Sequence, residues 1–140
     1  MSEALVRVEI AAPVEKLWSL LADFGEIGWM QGVSKVEVKG SGVGMVREIY
    51  ATGAAAPVVE VLESKDEAAR QIAYTIPENI PLPVDDYHAT CVAVDLGDGR
   101  SRLDWGCTFT PKGTDEASAK AQVEAMYNVL ISWVKGELEG

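Results

Sequence analysis

Residues Thr114 to Leu138 set Val123, Met126, Tyr127, Leu130, Trp133, Val134 and Leu138 on one stripe and Lys120, Glu124, Asn128, Ser132, Lys135 and Glu139 on the opposite side. That spacing is the signature of a long amphipathic helix. At about 1.5 Å per residue it reaches on the order of 37 Å. Thr114 is placed to cap it, with Asp115 and Glu116 in the first turn, where negative charge is favoured. An apolar stripe of this length needs a surface of matching length to cover it.

The rest of the chain supplies one. "ALVRVEIAA" reads as a strand, and "PVEKLWSLLADF" repeats Val14, Leu17, Trp18 and Leu21 at helical spacing behind Pro13. "GEIGWMQG" is short and Gly-punctuated, a second short helix or turn. Six β-like runs follow: "VSKVEVKG", "GMVREIYATG", "PVVEVLESKD", "ARQIAYTIPE", "VDDYHATCVAVD" and "SRLDWGCTFTP". Ile72, Tyr74 and Ile76 alternate with polar or small residues, as do Leu103, Trp105, Cys107 and Phe109, the period of a half-buried strand. The predicted fold is therefore α+β. A seven-stranded curved antiparallel sheet wraps a long C-terminal helix, with two short helices after strand 1. Residues 1–140 read as a single domain. A twisted sheet curling round one helix leaves a gap, which is a natural small-molecule cavity.

Charge and composition exclude several alternatives. A formal net charge of −10 argues against nucleic acid or an anionic membrane as partner. No run approaches 18 apolar residues. With one histidine and no C-x-x-C, no metal site is expected, and nothing calls for a nucleotide or other cofactor. The first residues lack the basic start and apolar run of an export signal. With only two cysteines the expected setting is cytoplasmic, as a monomer or weak homodimer.

The stretches "APVEKLWSLLADF", "GVGMVREI", "VVEVLESKDEA", "IAYTIPENIPLPVDDYHAT" and "SRLDWGCTF" resemble the START/SRPBCC superfamily, the helix-grip fold of pollen-allergen-like and polyketide cyclase/dehydrase-like proteins. The second half is most similar to the branch holding lachrymatory-factor synthases and abscisic-acid receptors. In the synthases an arginine, a glutamate and a tyrosine line the cavity and take part in the reaction. The resemblance places Arg47, Glu60 and Tyr87 on those positions. It implies a metal-free and nucleotide-free lyase, isomerase, cyclase or dehydratase acting on a small hydrophobic or aromatic molecule. A non-catalytic carrier with the same pocket is the alternative, and a partner-binding module the second. The gating loop of the receptors is bulkier than "TGAAAPV", so a hormone-receptor role is unsupported.

Read from the residues alone, Glu60 between Val59 and Val61 belongs in solvent, whereas Met45 and Ile49 share the parity of Arg47 and support an inward face for it. If both point inward they must pair, because an unpaired buried charge is too costly. Tyr87 and His88 compete for the interior, since strand neighbours face opposite ways. A two-residue turn at Asp98-Gly99 would send His88, Thr90 and Val92 inward. A three-residue loop would send Tyr87, Ala89, Cys91 and Ala93 inward and set Cys91 opposite Cys107. Hydrophobicity favours the first register; the resemblance favours the second, which is adopted. The expected ligand-contacting residues are Tyr74, Ala89, Cys91, Trp105, Phe109, Met126, Tyr127 and Leu130, with Trp29 and Met30 closing one end. Ala54, Ala55, Ala56 and Pro57 are expected to face Ile80, Pro81, Leu82 and Pro83 across the cavity mouth, the second loop stiffened by its prolines.

Overall fold

The computed structural model describes residues 1–139. Seven antiparallel strands form one sheet: β1 (Ser2–Ile10), β2 (Val33–Lys39), β3 (Val46–Ala51), β4 (Val58–Asp66), β5 (Gln71–Glu78), β6 (Val84–Gly97) and β7 (Arg100–Pro111). Their spatial order is β1-β7-β6-β5-β4-β3-β2, so the chain lays down a meander from β2 to β7 and β1 closes against the last strand. Helix α1 (Val14–Ala22) follows β1, and α2 (Glu116–Glu139) ends the chain. This is the predicted helix-grip architecture.

Three expectations need correction. Only one helix follows β1: residues Gly25 to Gly32 form isolated turns, with Glu26 N bonding Asp23 O and Met30 N bonding Ile27 O. Gly25, Gly28 and Gly32 weaken helix continuation, and Gly32 sits at φ +72°, outside the helical region. Helix α2 is capped by Asp115 rather than Thr114. Asp115 Oδ1 accepts the amide of Ser118 at 2.7 Å, which holds this carboxyl below its ordinary value. The line α2 buries is Ala119, Val123, Tyr127, Ile131 and Val134; Met126, Leu130, Trp133 and Leu138 flank it half-buried. Small Ala119 lets the helix approach, and it packs on β1 and β7.

The register of β6 is the third. The turn is the two-residue form: Gly97 pairs with Arg100, and Asp98 and Gly99 both have positive φ, +55° and +75°. That is the geometry a tight hairpin requires. An extra residue, Leu96, then bulges out between the Asp95 and Gly97 pairings and shifts the ladder by one. Ala93 consequently faces Leu103, Cys91 faces Trp105 and Ala89 faces Cys107. The two cysteines are not opposite each other, yet Tyr87 lies inside at 4% exposure and His88 outside. A second bulge at Asp86, φ +49°, resets the strand entrance, so that Val84 is inside while Asp85 and Asp86 both stay in solvent.

Candidate functional site

Arg47 on β3 and Glu60 on β4 are directly paired across the ladder and project to the concave face. They are 5% and 8% exposed. Arg47 Nε donates to Glu60 Oε1 at 2.7 Å, Nη2 reaches the same oxygen at 2.6 Å, and Nη1 donates to the Phe24 carbonyl at 2.8 Å. The guanidinium also lies over the Phe24 ring, 3.8 Å from its centroid, an attractive placement for a desolvated cation. Both contacts to the carboxylate fall on Oε1, so Oε2 has no protein partner among these bonds. A buried ion pair is tolerated when such hydrogen bonds complete it.

Behind the pair stands an aromatic wall. Trp105 Nε1 donates to Tyr74 Oη at 3.1 Å, and the Trp105 ring stacks on Tyr127 at 5.4 Å. Tyr87 and Tyr127 share a short hydroxyl–hydroxyl bond. Desolvation raises Tyr74 and Tyr87 well above the ordinary phenol value, helped by their tyrosine neighbours; Tyr127 is raised for the same reason. These phenols stay protonated donors at neutral pH.

A cavity of about 120 Å³ opens in front of this wall, lined by Met30, Arg47, Ile49, Val58, Glu60, Tyr74, Ile76, Pro81, Trp105, Met126 and Leu130. Of the expected contact residues it gathers Tyr74, Trp105, Met126 and Leu130, together with Arg47 and Glu60. Phe109, Tyr127 and Ala89 are instead fully buried in the core. Cys91 lines a chamber of about 10 Å³ behind Tyr74, and burial pushes its thiol far up. Tyr87 points inward but spends its hydroxyl on Tyr127 and does not reach the cavity lining. Of the two expected mouth loops, Pro81 lines the cavity; Ala54, Ala55 and Ala56 are exposed, and Ile80, Leu82, Pro83 and Pro57 are half-buried. Asn79 Nδ2 donates to Pro57 O at 2.7 Å and ties the two loops together. Ile49, Val58 and Ile76 were not among the expected contact residues, although the sequence pattern had already put Ile49 on the inward parity of Arg47 and Ile76 in the alternation with Ile72 and Tyr74.

A larger hollow of about 420 Å³ crosses the outer face of β1, β7 and β6, but it is open to solvent, and Arg7, Asp104 and His88 of its lining are already in ion pairs. Arg7 contacts Asp104 at 3.4 Å, and His88 contacts Glu63 at 3.2 Å. Among the described residues no cluster of three or more His, Cys, Asp or Glu side chains is arranged to hold a metal, and no helix is long and apolar enough to cross a membrane.

No curated protein sequence matches the chain. Solved structures match it over nearly its full length. A protein of Bacillus thuringiensis superposes with a TM-score of 0.86 at 22% identity, over 99% of this chain and 100% of that one. A START superfamily protein of Mycobacterium smegmatis gives 0.80 at 15%, over 99% and 98%. The Zhui aromatase/cyclase of Streptomyces sp. R1128 gives 0.74 at 24%, over 98% and 93%. These likenesses establish the fold. Residues 1–140 also match, along their whole length, a sequence family described as polyketide cyclase / dehydrase and lipid transport. With its seven-stranded sheet closed over α2, the chain belongs to that polyketide cyclase/dehydrase family of the START/SRPBCC superfamily.

Proposed function

We propose that the protein binds a compact apolar or aromatic molecule in the Arg47–Glu60 cavity and acts on it by proton transfer. The reaction class is that of a lyase, isomerase, cyclase or dehydratase needing neither metal nor nucleotide. The observation that carries this reading is the buried ion pair at the end of an otherwise apolar cavity, with Glu60 Oε2 left without a protein partner. In this reading Oε2 takes or returns a proton at the reacting centre, within the hydrogen-bond reach that general acid–base work requires. Arg47 fixes the orientation of the carboxylate and polarises the ligand's polar atom. Tyr87 acts indirectly, by fixing Tyr127 and so the Trp105–Tyr74 wall. The family's aromatase/cyclase relative by fold is consistent with an aromatic or ring-forming substrate.

Size narrows the ligand. A dry cavity of about 150 Å³ is enough for benzene, and drug-sized ligands take 300 Å³ or more. At about 120 Å³ the resting cavity suits one ring or a short chain. A non-catalytic carrier is the second reading, favoured by the mostly apolar lining and the family's lipid-transport members. Native mass spectrometry of protein purified from cell extract separates the two. The enzyme reading expects a retained compound that wild type converts on incubation and Glu60→Gln holds unconverted. Retention with no conversion by either form supports the carrier, and no retained or added small molecule in either form overturns both.

A further inference from the structure

Two of the chain's four tryptophans stand together outside the Arg47–Glu60 cavity. Trp29, in the glycine-flanked turns after α1, and Trp133, near the end of α2, line a hollow of about 320 Å³ with Gly28, Gln31, Gly136 and Glu137. The hollow shares no lining residue with the cavity. Gly136 helps to keep it open, since a Cβ there would have nothing within 4 Å. Trp29 Nε1 is buried, so what that indole presents to the hollow is ring carbon.

The charge around the hollow has one sign. Glu139 is engaged, accepting the Ala11 amide at 2.8 Å and lying 3.8 Å from Lys135. Glu137 makes no ion pair and no side-chain hydrogen bond among the described residues, and no lysine or arginine lines the hollow. The last turn of α2 carries no basic residue, and the carbonyl end of a helix favours a cation. The net charge of −10 draws cations toward the whole molecule.

These features select one chemistry. An anion would meet only negative charge. A calcium or magnesium ion needs about six or more oxygens, and the lining side chains supply one carboxylate and one amide. A neutral apolar molecule would cover Glu137 without pairing it, which opposes binding. An organic cation lies against indole rings, attracted by their quadrupole, while its charge answers the carboxylate. We propose that the hollow between the post-α1 turns and the end of α2 is a second binding site, taking a small organic cation of the quaternary-ammonium kind. It does not depend on what the Arg47–Glu60 cavity binds.

The probes are choline and 3,3-dimethylbutan-1-ol, which has the same shape with carbon in place of the charged nitrogen. Titrations at matched ionic strength follow the indole N–H signals of ¹⁵N-labelled protein, the Trp133 signal being assigned from Trp133→Leu. Choline is expected to move the Trp133 signal and to bind about tenfold or more tighter than the neutral probe. Glu137→Gln, at an exposed position, should weaken choline about threefold or more and leave the neutral probe unchanged. Gly136→Leu should fill the hollow and abolish choline binding while keeping or raising thermal stability, because leucine is the better helix former; it decides the matter if Trp133→Leu misfolds. Phosphatidylcholine vesicles as a third probe separate the sources. Choline binding without vesicle binding assigns a free cation, and vesicle binding that Gly136→Leu abolishes assigns a lipid head group. Equal affinities for the two small probes, choline binding that survives in both Glu137→Gln and Gly136→Leu, or no binding of any probe overturns the site.

Discussion

Glu60→Ala strands the Arg47 guanidinium, and the structure sets the size of the effect. The pair is a direct cross-strand neighbour with N–O contacts of 2.6 and 2.7 Å. At an effective dielectric of about 20, unit charges about 4 Å apart attract by about 4 kcal/mol. Removing one partner of a buried pair costs about 3–5 kcal/mol. Arg47 keeps the Phe24 carbonyl and the Phe24 ring, and the adjoining cavity admits water, so Glu60→Ala belongs at the low end, about 3 kcal/mol. Arg47→Ala costs a similar amount or more, because it also abandons Phe24 O. The double variant Arg47→Ala/Glu60→Ala removes both charges together. It should cost about 1–3 kcal/mol, mostly the unpaired Phe24 carbonyl and lost packing. The coupling energy is then about 3 kcal/mol or more, and the single variant Glu60→Ala should be no more stable than the double. Urea unfolding of all four proteins at one pH, read as ΔG at constant m-value, measures it. Additivity within about 0.5 kcal/mol refutes the argument, since it would mean that the two charges do not depend on each other.

Tyr87→Phe should cost about 1–3 kcal/mol by orphaning the Tyr127 hydroxyl, whereas Tyr87→Phe/Tyr127→Phe should recover most of that loss in the same unfolding assay. His88→Ala, on the exposed face, should stay within about 0.5 kcal/mol of wild type in stability and leave probe binding unchanged in titration. Cys91, buried and with its thiol pushed up, should resist iodoacetamide at pH 8, its alkylation followed by mass spectrometry rising only with urea-induced opening. Asp115 has a lowered folded value, so its contribution is present above the unfolded carboxylate range near 3.8 and disappears as pH falls through the folded one. The thermal stability gap between wild type and Asp115→Ala should accordingly be full at pH 7 and close on acidification below that range.

Much of the sheet was legible because its strands obey a period of two. Leu103, Trp105 and Phe109 alternate with polar neighbours, and all three are buried. The inward face of Glu60 was not evident from its valine neighbours, although Leu62, two residues on and 1% exposed, carries the same parity. Helix α2 was found, but not its rotation. Counting large side chains passed over Ala119 and Ile131, which sit on the buried line, and so sent Tyr127 to the cavity instead of the core. The segment after α1 was obscure for a different reason. Its three glycines carry no periodicity, and Trp29 is held there by tertiary packing. Only the atomic arrangement reveals that its indole nitrogen has been left without a partner.

Leu96 gives the β6–β7 hairpin a property that goes beyond its own position. The turn by itself dictates one parity, and a single extra residue converts it to the other along the rest of the strand. Which of two chemically distinct surfaces becomes interior is therefore encoded by a residue count at the far end of the sheet. One surface offers tyrosine, alanine and cysteine; the other offers histidine, threonine and valine. Loss of one codon at this hairpin would exchange them without substituting any residue of the strand. Insertions and deletions at such a hairpin are thus a route by which this fold can diversify its interior in one evolutionary step, where point substitution would need several.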